Sequence, residues 1–429
     1  MRRVLLLATT TGYQTRMFGD AAERIGVELV FATDRCDMLE DPWQDSAIPV
    51  RFHDEDKAVG AILERAAATP VDGILVVGDR PTVIAAMAAV ELGIPGHQPP
   101  AAAVARNKLL TRERLRDSDL LVPWFFPTST DADPGALASM VEYPCVIKPL
   151  MLSGSRGVMR ADDVPSFVQA FERLRALLAT PDVRAERTGD AGAHDTILVE
   201  GFIDGWEFAL EGLLHHGALN ELALFDKPDP LDGPFFEETI YVTPSSAPEP
   251  MQRDIVDAVA RAAAAIGLTH GPIHAECRVN DRGVYVLEVA ARPIGGLCAG
   301  ALRFQKKGTG PVVPLEEVLL RHALGEAPDD WRRETPASGV MMIPIPRRGI
   351  YRGVEGVDAA TAVSGIDGVR ITAKPDQRLV PLPEGASYLG FIFARGETGA
   401  DAERALREAH ACLRFVIDPE VPMVQSPNG

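Results

Sequence analysis

Lysine is scarce in this chain. Only seven of its 43 basic side chains are lysines, at positions 57, 108, 148, 227, 306, 307 and 374. Arginine is therefore the default cation, and a lysine inside a motif carries more information than usual. Aromatic residues are also few, at 6%. No uncharged apolar run approaches the roughly 20 residues that span a bilayer. The N-terminal MRRVLLLATTTGYQTR has no signal-peptide core, so a cytoplasmic protein without a membrane partner is expected. Cysteine is limited to Cys36, Cys145, Cys277, Cys298 and Cys412, odd in number, scattered and without C-x-x-C. That pattern excludes a disulfide framework or a zinc–thiolate site and points to reduced thiols. Positive charge is short as well. With 61 acidic and 43 basic residues the net charge is −18, which argues against nucleic acid or an anionic membrane as the main partner, since both need a cationic footprint.

The length of 429 residues is enough for two to four folding units. In the first hundred, short apolar runs (Val4 to Ala8, Val27 to Ala32, Gly73 to Val77) alternate with helical stretches (Met17 to Ile25, Ala85 to Leu92, the latter closed by Gly93). Alternation of this kind predicts a doubly wound parallel sheet. Such a sheet binds ligands at the carboxyl ends of its strands, here the TTTGY and GDRP turns. No G-x-G-x-x-G follows the first strand, so a dinucleotide fingerprint is missing and a nicotinamide dehydrogenase is disfavoured. The Pro- and Ala-rich GHQPPAAAVARNK, 96 to 108, reads as a linker, and the polar segment Pro181 to Asp195 as a surface loop.

Three segments carry chemistry. In KPLMLSGSRGV, Lys148 ends an apolar strand just before Ser153, Gly154, Ser155, Arg156 and Gly157. Glycines let amides turn toward an anion, and the lysine adds a point charge, but a tight turn needing small residues is an equal alternative. In VEGFIDGWE, a strand ends in Glu200, crosses a glycine-containing hinge and resumes at Glu207. The hinge can face a purine, or be a plain strand connection. In HAECRVNDRGVYVLEVAAR, His274 and Glu276 share one face of a strand, and Glu288, Ala290 and Arg292 one face of the next. A three-residue loop, Asp281 to Gly283, places Glu276 opposite Glu288 with Cβ atoms about 5 Å apart, and a hard divalent cation such as Mg²⁺ relieves their repulsion. A solvent-exposed face with shifted register is the alternative.

In this order the segments resemble the ATP-grasp superfamily over about residues 100 to 310, preceded by a unit similar to its N-terminal pre-ATP-grasp domain. The resemblance implies an α/β and α+β chain divided into a doubly wound domain at 1–105, an ATP-grasp domain at 106–325 with a lid near 125–200, and a C-terminal α+β region at 326–429. It implies that Lys108 and Lys148 contact phosphate, with Lys227 a further contact, and that the loop Ser153–Gly157, including Gly154 and Ser155, is a phosphate lid. It further implies that Glu200, Phe202 and Ile203 form the adenine hinge, that Glu207 binds ribose, and that Glu276 and Glu288 bridge Mg²⁺ or Mn²⁺. Many members place an asparagine two residues after the second metal glutamate; here that position is Ala290. The run EVAAR resembles the bacterial L-amino-acid ligases, where Arg292 steadies the acyl-phosphate and tetrahedral species, and GPFFEETIYVTPS, 233 to 245, lines the acceptor side.

The implied activity is an ATP-dependent carboxylate–amine ligase working through an acyl phosphate, with small-molecule partners that include amino acids. Two alternatives stand beside it: a carboxylase acting through carboxyphosphate, which bicarbonate dependence would reveal, and a nucleotide-binding module that does not turn over. Among other residues, adjacent His215 and His216 on a strand point to opposite faces and cannot chelate together, and His97 beside prolines reads as structural. Cys298 reads as a small buried residue and not a nucleophile. The C-terminal region is expected to pack beside the clamp, closing the pocket or forming a homodimer contact.

Overall fold

A computed structural model of the chain describes residues 1–9, 13–34, 47–185, 192–307 and 310–420. Most of the TTTGY turn, Cys36 and part of the 181–195 segment lie outside them. Strands β1 (Arg3–Ala8), β2 (Glu28–Thr33), β3 (Ile48–Pro49) and β4 (Gly73–Val77) form a parallel sheet in the order β3-β2-β1-β4. The leucines of β1 are sealed on both faces, Leu5 to Leu7 being at most 1% exposed, as a parallel sheet covered by helices requires. The order reverses at β1, so the crevice where ligands bind opens between the ends of β1 and β4, at Thr9 and Asp79.

The stretch expected to be a linker is helical. Pro99–Arg106 forms one helix and Lys108–Asp117 the next. Proline is tolerated in the first turn and alanine is the best helix former, so composition that looks like a spacer makes a packed element, with Ala101, Ala102 and Val104 buried. Asn107 caps the second helix by accepting from the Leu109 and Leu110 amides, which fixes Lys108 at its first turn.

A four-stranded antiparallel sheet follows, built from β5 (Phe125–Ser129), β6 (Cys145–Pro149), β7 (Met159–Ala161) and β8 (Thr196–Gly201) in the order β5-β8-β6-β7. The helix Val164–Leu178 covers it through Phe167, Phe171, Leu174 and Leu178, a helical stripe. The second sheet has eight strands. It runs from β9 (Trp206–His215), β10 (Ala218–Asp226), β11 (Ile240–Thr243), β12 (Gly271–Asn280) and β13 (Gly283–Ala290), ordered β13-β12-β9-β10-β11, into Ala337–Ile343, Gly390–Gly396 and Ile366–Ile371. The C-terminal region thus does not simply lie beside the clamp. Its strands continue the same sheet, because β11 would otherwise present an unpaired edge. Phe208, Leu210 and Leu214 of β9 pack beneath the helix Glu249–Ile266, leaving Glu207, Ala209 and Glu211 on the other face. No helix among the described residues is long and apolar enough to cross a membrane.

The β12–β13 hairpin differs in detail from expectation. Its loop has two residues, since Asn280 pairs with Gly283. Alone, that register would put Leu287 opposite Glu276. A bulge between Glu276 and Cys277 on one side and Glu288 and Val286 on the other adds one residue to β13, and Glu276 does face Glu288.

Glu316, on the helix Leu315–Ala323, is 2% exposed, and its Oε2 has no hydrogen-bond partner. Burial pushes its carboxyl up from 4.5 to about 7. Between those values the unfolded chain loses the proton while the folded one keeps it, so stability falls as pH rises and stays lower above 7. Glu316→Gln should raise stability at pH 8 by about 1–3 kcal/mol and leave it nearly unchanged at pH 4.5, measured by denaturant unfolding.

Candidate active site

The polar face of the large sheet is a ladder of opposed charges. Antiparallel pairing sets Arg278 opposite Glu207, Glu276 opposite Ala209 and His274 opposite Glu211. Arg278 Nε donates to Glu207 at 2.7 Å, and His274 Nδ1 lies 3.2 Å from Glu211 Oε2. Glu211, fully buried, also accepts from the Ile294 amide at 3.1 Å. Burial opposes charging His274, but its hydrogen bonding to the Glu211 and Glu276 carboxylates holds its pKa up at about 9. In the middle sits Lys227, whose Nζ lies 2.9 Å from Glu207, 2.6 Å from Glu238 and 3.1 Å from Glu276. Burial works against this ammonium, yet the three carboxylates keep it charged. Glu238 is pushed up to about 7 by burial and by the charge on Glu276.

The β6–β8 pair supplies a second cluster. Lys148 is 7% exposed, and its Nζ is 2.5 Å from Glu200 Oε1. Arg112, four residues after Lys108 on the same helix, donates Nε to Glu200 at 2.8 Å. Its Nη1 donates to the carbonyls of Val286 (2.8 Å) and Leu287 (3.2 Å), at the β13 bulge. Burial lowers Lys148 to about 8. Burial disfavours the charged Glu200 too, but Arg112 and Lys148 prevail and hold it at about 2.

Both clusters open into one cavity of about 640 Å³. Lys108, Lys148, Ser153, Gly154, Ser155, Glu276, Glu288 and Arg292 all line it, as do Glu200, Phe202, Ile203 and Glu207 at one end. Lys108 Nζ donates to the Leu152 carbonyl at 2.8 Å and lies 3.6 Å from Glu288. Arg292 is clamped in plane by Asp79 of the GDRP turn, Nε to Oδ1 at 2.9 Å and Nη2 to Oδ2 at 3.1 Å, while Nη1 donates to the Pro293 carbonyl. One N–H on each terminal nitrogen remains for a ligand. Cys298 also lines the cavity, but it is buried and its thiol is pushed well up by that burial, so it is no thiolate nucleophile.

Several of the residues expected to contact ligand also make internal contacts. The Glu200 carboxylate pairs with Lys148 and Arg112, and the Glu207 carboxylate with Lys227 and Arg278. Lys227 is enclosed by three carboxylates. In the hinge, the Phe202 amide donates to Pro144 and the Ile203 carbonyl accepts from Arg278. The Phe202 carbonyl and the Ile203 amide are the hinge groups left. Gly157 faces away from the cavity. A Cβ there would sit 2.9 Å from Leu174, and its amide donates to Pro383.

The C-terminal region reaches this lid at the neighbouring residue as well. Glu384 accepts from Arg156 Nε through its carbonyl (2.8 Å) and pairs with Arg173 through its carboxylate. Sequence reasoning placed Glu238 only within the 233–245 segment and missed Arg112 and Asp79. Only the helical spacing of Arg112 from Lys108 and the position of Asp79 in a strand-end turn pointed to them.

Three comparisons bear on the fold and family of the chain. The sequence matches the ATP-grasp N-terminal domain over residues 19–96, the ATP-grasp domain over 141–301 and the L-amino acid ligase C-terminal domain 2 over 341–418. The crystal structure of an L-amino acid ligase from Bacillus licheniformis superposes with a TM-score of 0.79 at 25% identity, covering 97% of this chain and 99% of that one. The alanine–anticapsin ligase of Bacillus subtilis is 26% identical over 250 residues, 56% of this chain and 52% of that protein. Human carnosine synthase 1 is 27% identical over 259 residues, 57% of this chain and 30% of that protein. The matched segment therefore spans about half or less of these two curated relatives.

Replacing Glu200 with Gln strands two buried cations on a neutral amide. Unfolding by denaturant should show a loss of about 3–5 kcal/mol, and the KM for ATP should rise. A loss below about 1 kcal/mol would mean that the pair is not the anchor of Lys148.

Proposed function

We propose that this chain, an ATP-grasp ligase carrying the N-terminal, ATP-grasp and L-amino acid ligase C-terminal domains in that order, joins a small carboxylate to an amine through an acyl phosphate, releasing ADP and phosphate. The observation that carries this reading is Arg292. Its guanidinium is pinned by Asp79 with two N–H groups left over, in the same cavity as the two lysines, the Ser153–Ser155 loop and the Glu276–Glu288 pair.

The residues divide the work by charge. Lys108 and Lys148 sit where a triphosphate enters, and preorganised cations aimed at shifting charge are the main source of rate in phosphoryl transfer. Amides of the Ser153–Ser155 turn, where Gly154 and Ser155 have φ of 63° and 55°, point donors at the same anion. The hinge at Phe202 and Ile203 takes the base, with Arg160 and Arg278 over the Phe202 ring.

Glu276 and Glu288 fit a hard divalent cation. They are opposed carboxylates on one face, with a local surplus of negative charge that lifts Glu238 to about 7. Mg²⁺ or Mn²⁺ held there supplies neutralisation of the phosphate oxygens. Ala290 offers no further ligand.

The substrate carboxylate attacks the γ-phosphorus, the bond to the β-phosphate oxygen breaks and ADP leaves. The amine then attacks the acyl carbon while the two free N–H groups of Arg292 face the oxyanion, and phosphate departs. No protein nucleophile takes part. Acceptor and donor lie toward the N-terminal crevice and toward Thr372 and Tyr388 of the C-terminal region, which close the other walls. Likeness to an L-amino acid ligase and to an alanine–anticapsin ligase supports amino acids as the substrate class.

A phosphate-release screen over amino-acid pairs with ATP and Mg²⁺ should find at least one pair that gives ADP and a condensed product by mass. Release without any condensation would overturn the ligase reading. Glu288→Gln should abolish substrate-dependent ADP release with the fold intact. Asp79→Asn, which frees the guanidinium to turn, should lower kcat by about 10–100-fold and leave the KM for ATP nearly unchanged.

A further inference from the structure

We propose that the chain holds a transition-metal ion of the Zn²⁺ class in a cluster of histidines, His215, His216 and His270 with His322 as a fourth ligand, at the far end of β9 and β12. The site is separate from the cavity. Along β12 it begins four residues, roughly 13 Å, before His274, and along β9 four residues beyond Glu211.

The two adjacent histidines come together because the strand stops between them. Ala218 pairs with His215, leaving a two-residue turn in which His216 has φ of 51° and Gly217 φ of 86°. Left-handed backbone at both central positions is the tight hairpin turn that normally selects Asn-Gly. A histidine there swings its ring back over its neighbour, and the two centroids are 4.5 Å apart. The Gly217 amide donates to the Thr269 carbonyl at 2.7 Å, which sets His270 beside them, 5.3 and 5.2 Å from the two rings. The helix Leu315–Ala323 adds His322, stacked on His270 at 4.5 Å.

One ring nitrogen from each of His215, His216 and His270 lies within 4.8 Å of the others. His215 Nδ1 and His322 Nε2 are 3.2 Å apart. A tetrahedral ion with metal–nitrogen bonds of about 2.0–2.1 Å needs nitrogens about 3.3–3.4 Å apart. The His215–His322 separation matches that spacing, and the nitrogens of His215, His216 and His270 reach it by drawing in by at most about 1.5 Å.

The chemistry of the donors fits as well. His270 is 8% exposed, and its Nδ1 is buried with no hydrogen-bond partner, a cost that a bound ion removes. His322 is 2% exposed. An all-imidazole set without carboxylate suits Zn²⁺, Ni²⁺ or Cu²⁺ and not Mg²⁺ or Ca²⁺. His216 is exposed, which gives an ion an entry path. The bound ion would tie a hairpin turn, the start of β12 and a helix of another segment into one unit.

The test uses tag-free, chelator-stripped protein titrated with Co²⁺ and read by visible absorption, since tetrahedral cobalt absorbs far more strongly than six-coordinate cobalt on carboxylates. One equivalent should give intense bands that Zn²⁺ displaces and that MgATP leaves unchanged. His216→Asn suits the left-handed turn and should fold normally by circular dichroism; it should weaken cobalt affinity at least about tenfold. Glu288→Gln should bind as the wild type does. Absence of the bands in wild type, bands that persist at full affinity in His216→Asn, or bands that vanish in Glu288→Gln would each overturn the proposal.

Discussion

A single ammonium holds the chamber together. Lys227 Nζ touches three carboxylates, and each of them also acts elsewhere. Glu207 fixes Arg278, Glu276 faces Glu288, and Glu238 carries the surplus charge of the group. Removing one partner of a buried ion pair strands the others, at a cost on the order of 3–5 kcal/mol. The cluster is therefore cooperative. It also remains net acidic. In a protein of charge −18, the positive charge of this cavity is local and buried.

Register matters as much as charge. The ladder on the sheet face works because β9 and β12 align Glu207 with Arg278 and Glu211 with His274, and because Glu276 is set opposite the small Ala209. One added residue in β13 then turns Glu288 toward Glu276. The same bulge presents the carbonyls of Val286 and Leu287 to Arg112, Arg112 holds Glu200, and Glu200 holds Lys148. A single irregularity in one strand thus positions both the Glu276–Glu288 pair and, through two buried side chains, a lysine on the other sheet.

What can be read from sequence follows this division. Strand and helix positions are legible where apolar periodicity is strong, and the opposition of Glu276 and Glu288 is reached because the residue missing from the loop is regained at the bulge. The expected three-residue loop is wrong, and the bulge restores the register. The motif residues Lys108, Lys148, Glu276, Glu288 and Arg292 meet in one cavity, and Glu200 and Glu207, which line it too, also hold buried cations. An acid in a motif looks the same whether it faces a ligand or a buried cation, and only the fold brings Arg112 or Arg278 to it. Asp79 is out of reach for the same reason, since its partner lies 213 residues away. The helix at 99–106 is hidden by composition, as proline and alanine serve spacers and capped helices equally.

The contact of Glu384 with Arg156 and Arg173 bears on how the protein is made. During synthesis from the N-terminus, the lysines, the glutamates and the lid are all present before residue 384 has emerged. The residue that fastens the Arg156 loop therefore arrives late, with the strands that extend the sheet. A nascent chain can hold the charged groups of the cavity before its C-terminal wall, with Thr372 and Tyr388, is in place, so synthesis of that wall, and not assembly of the charged groups, marks the moment at which the chamber becomes closed.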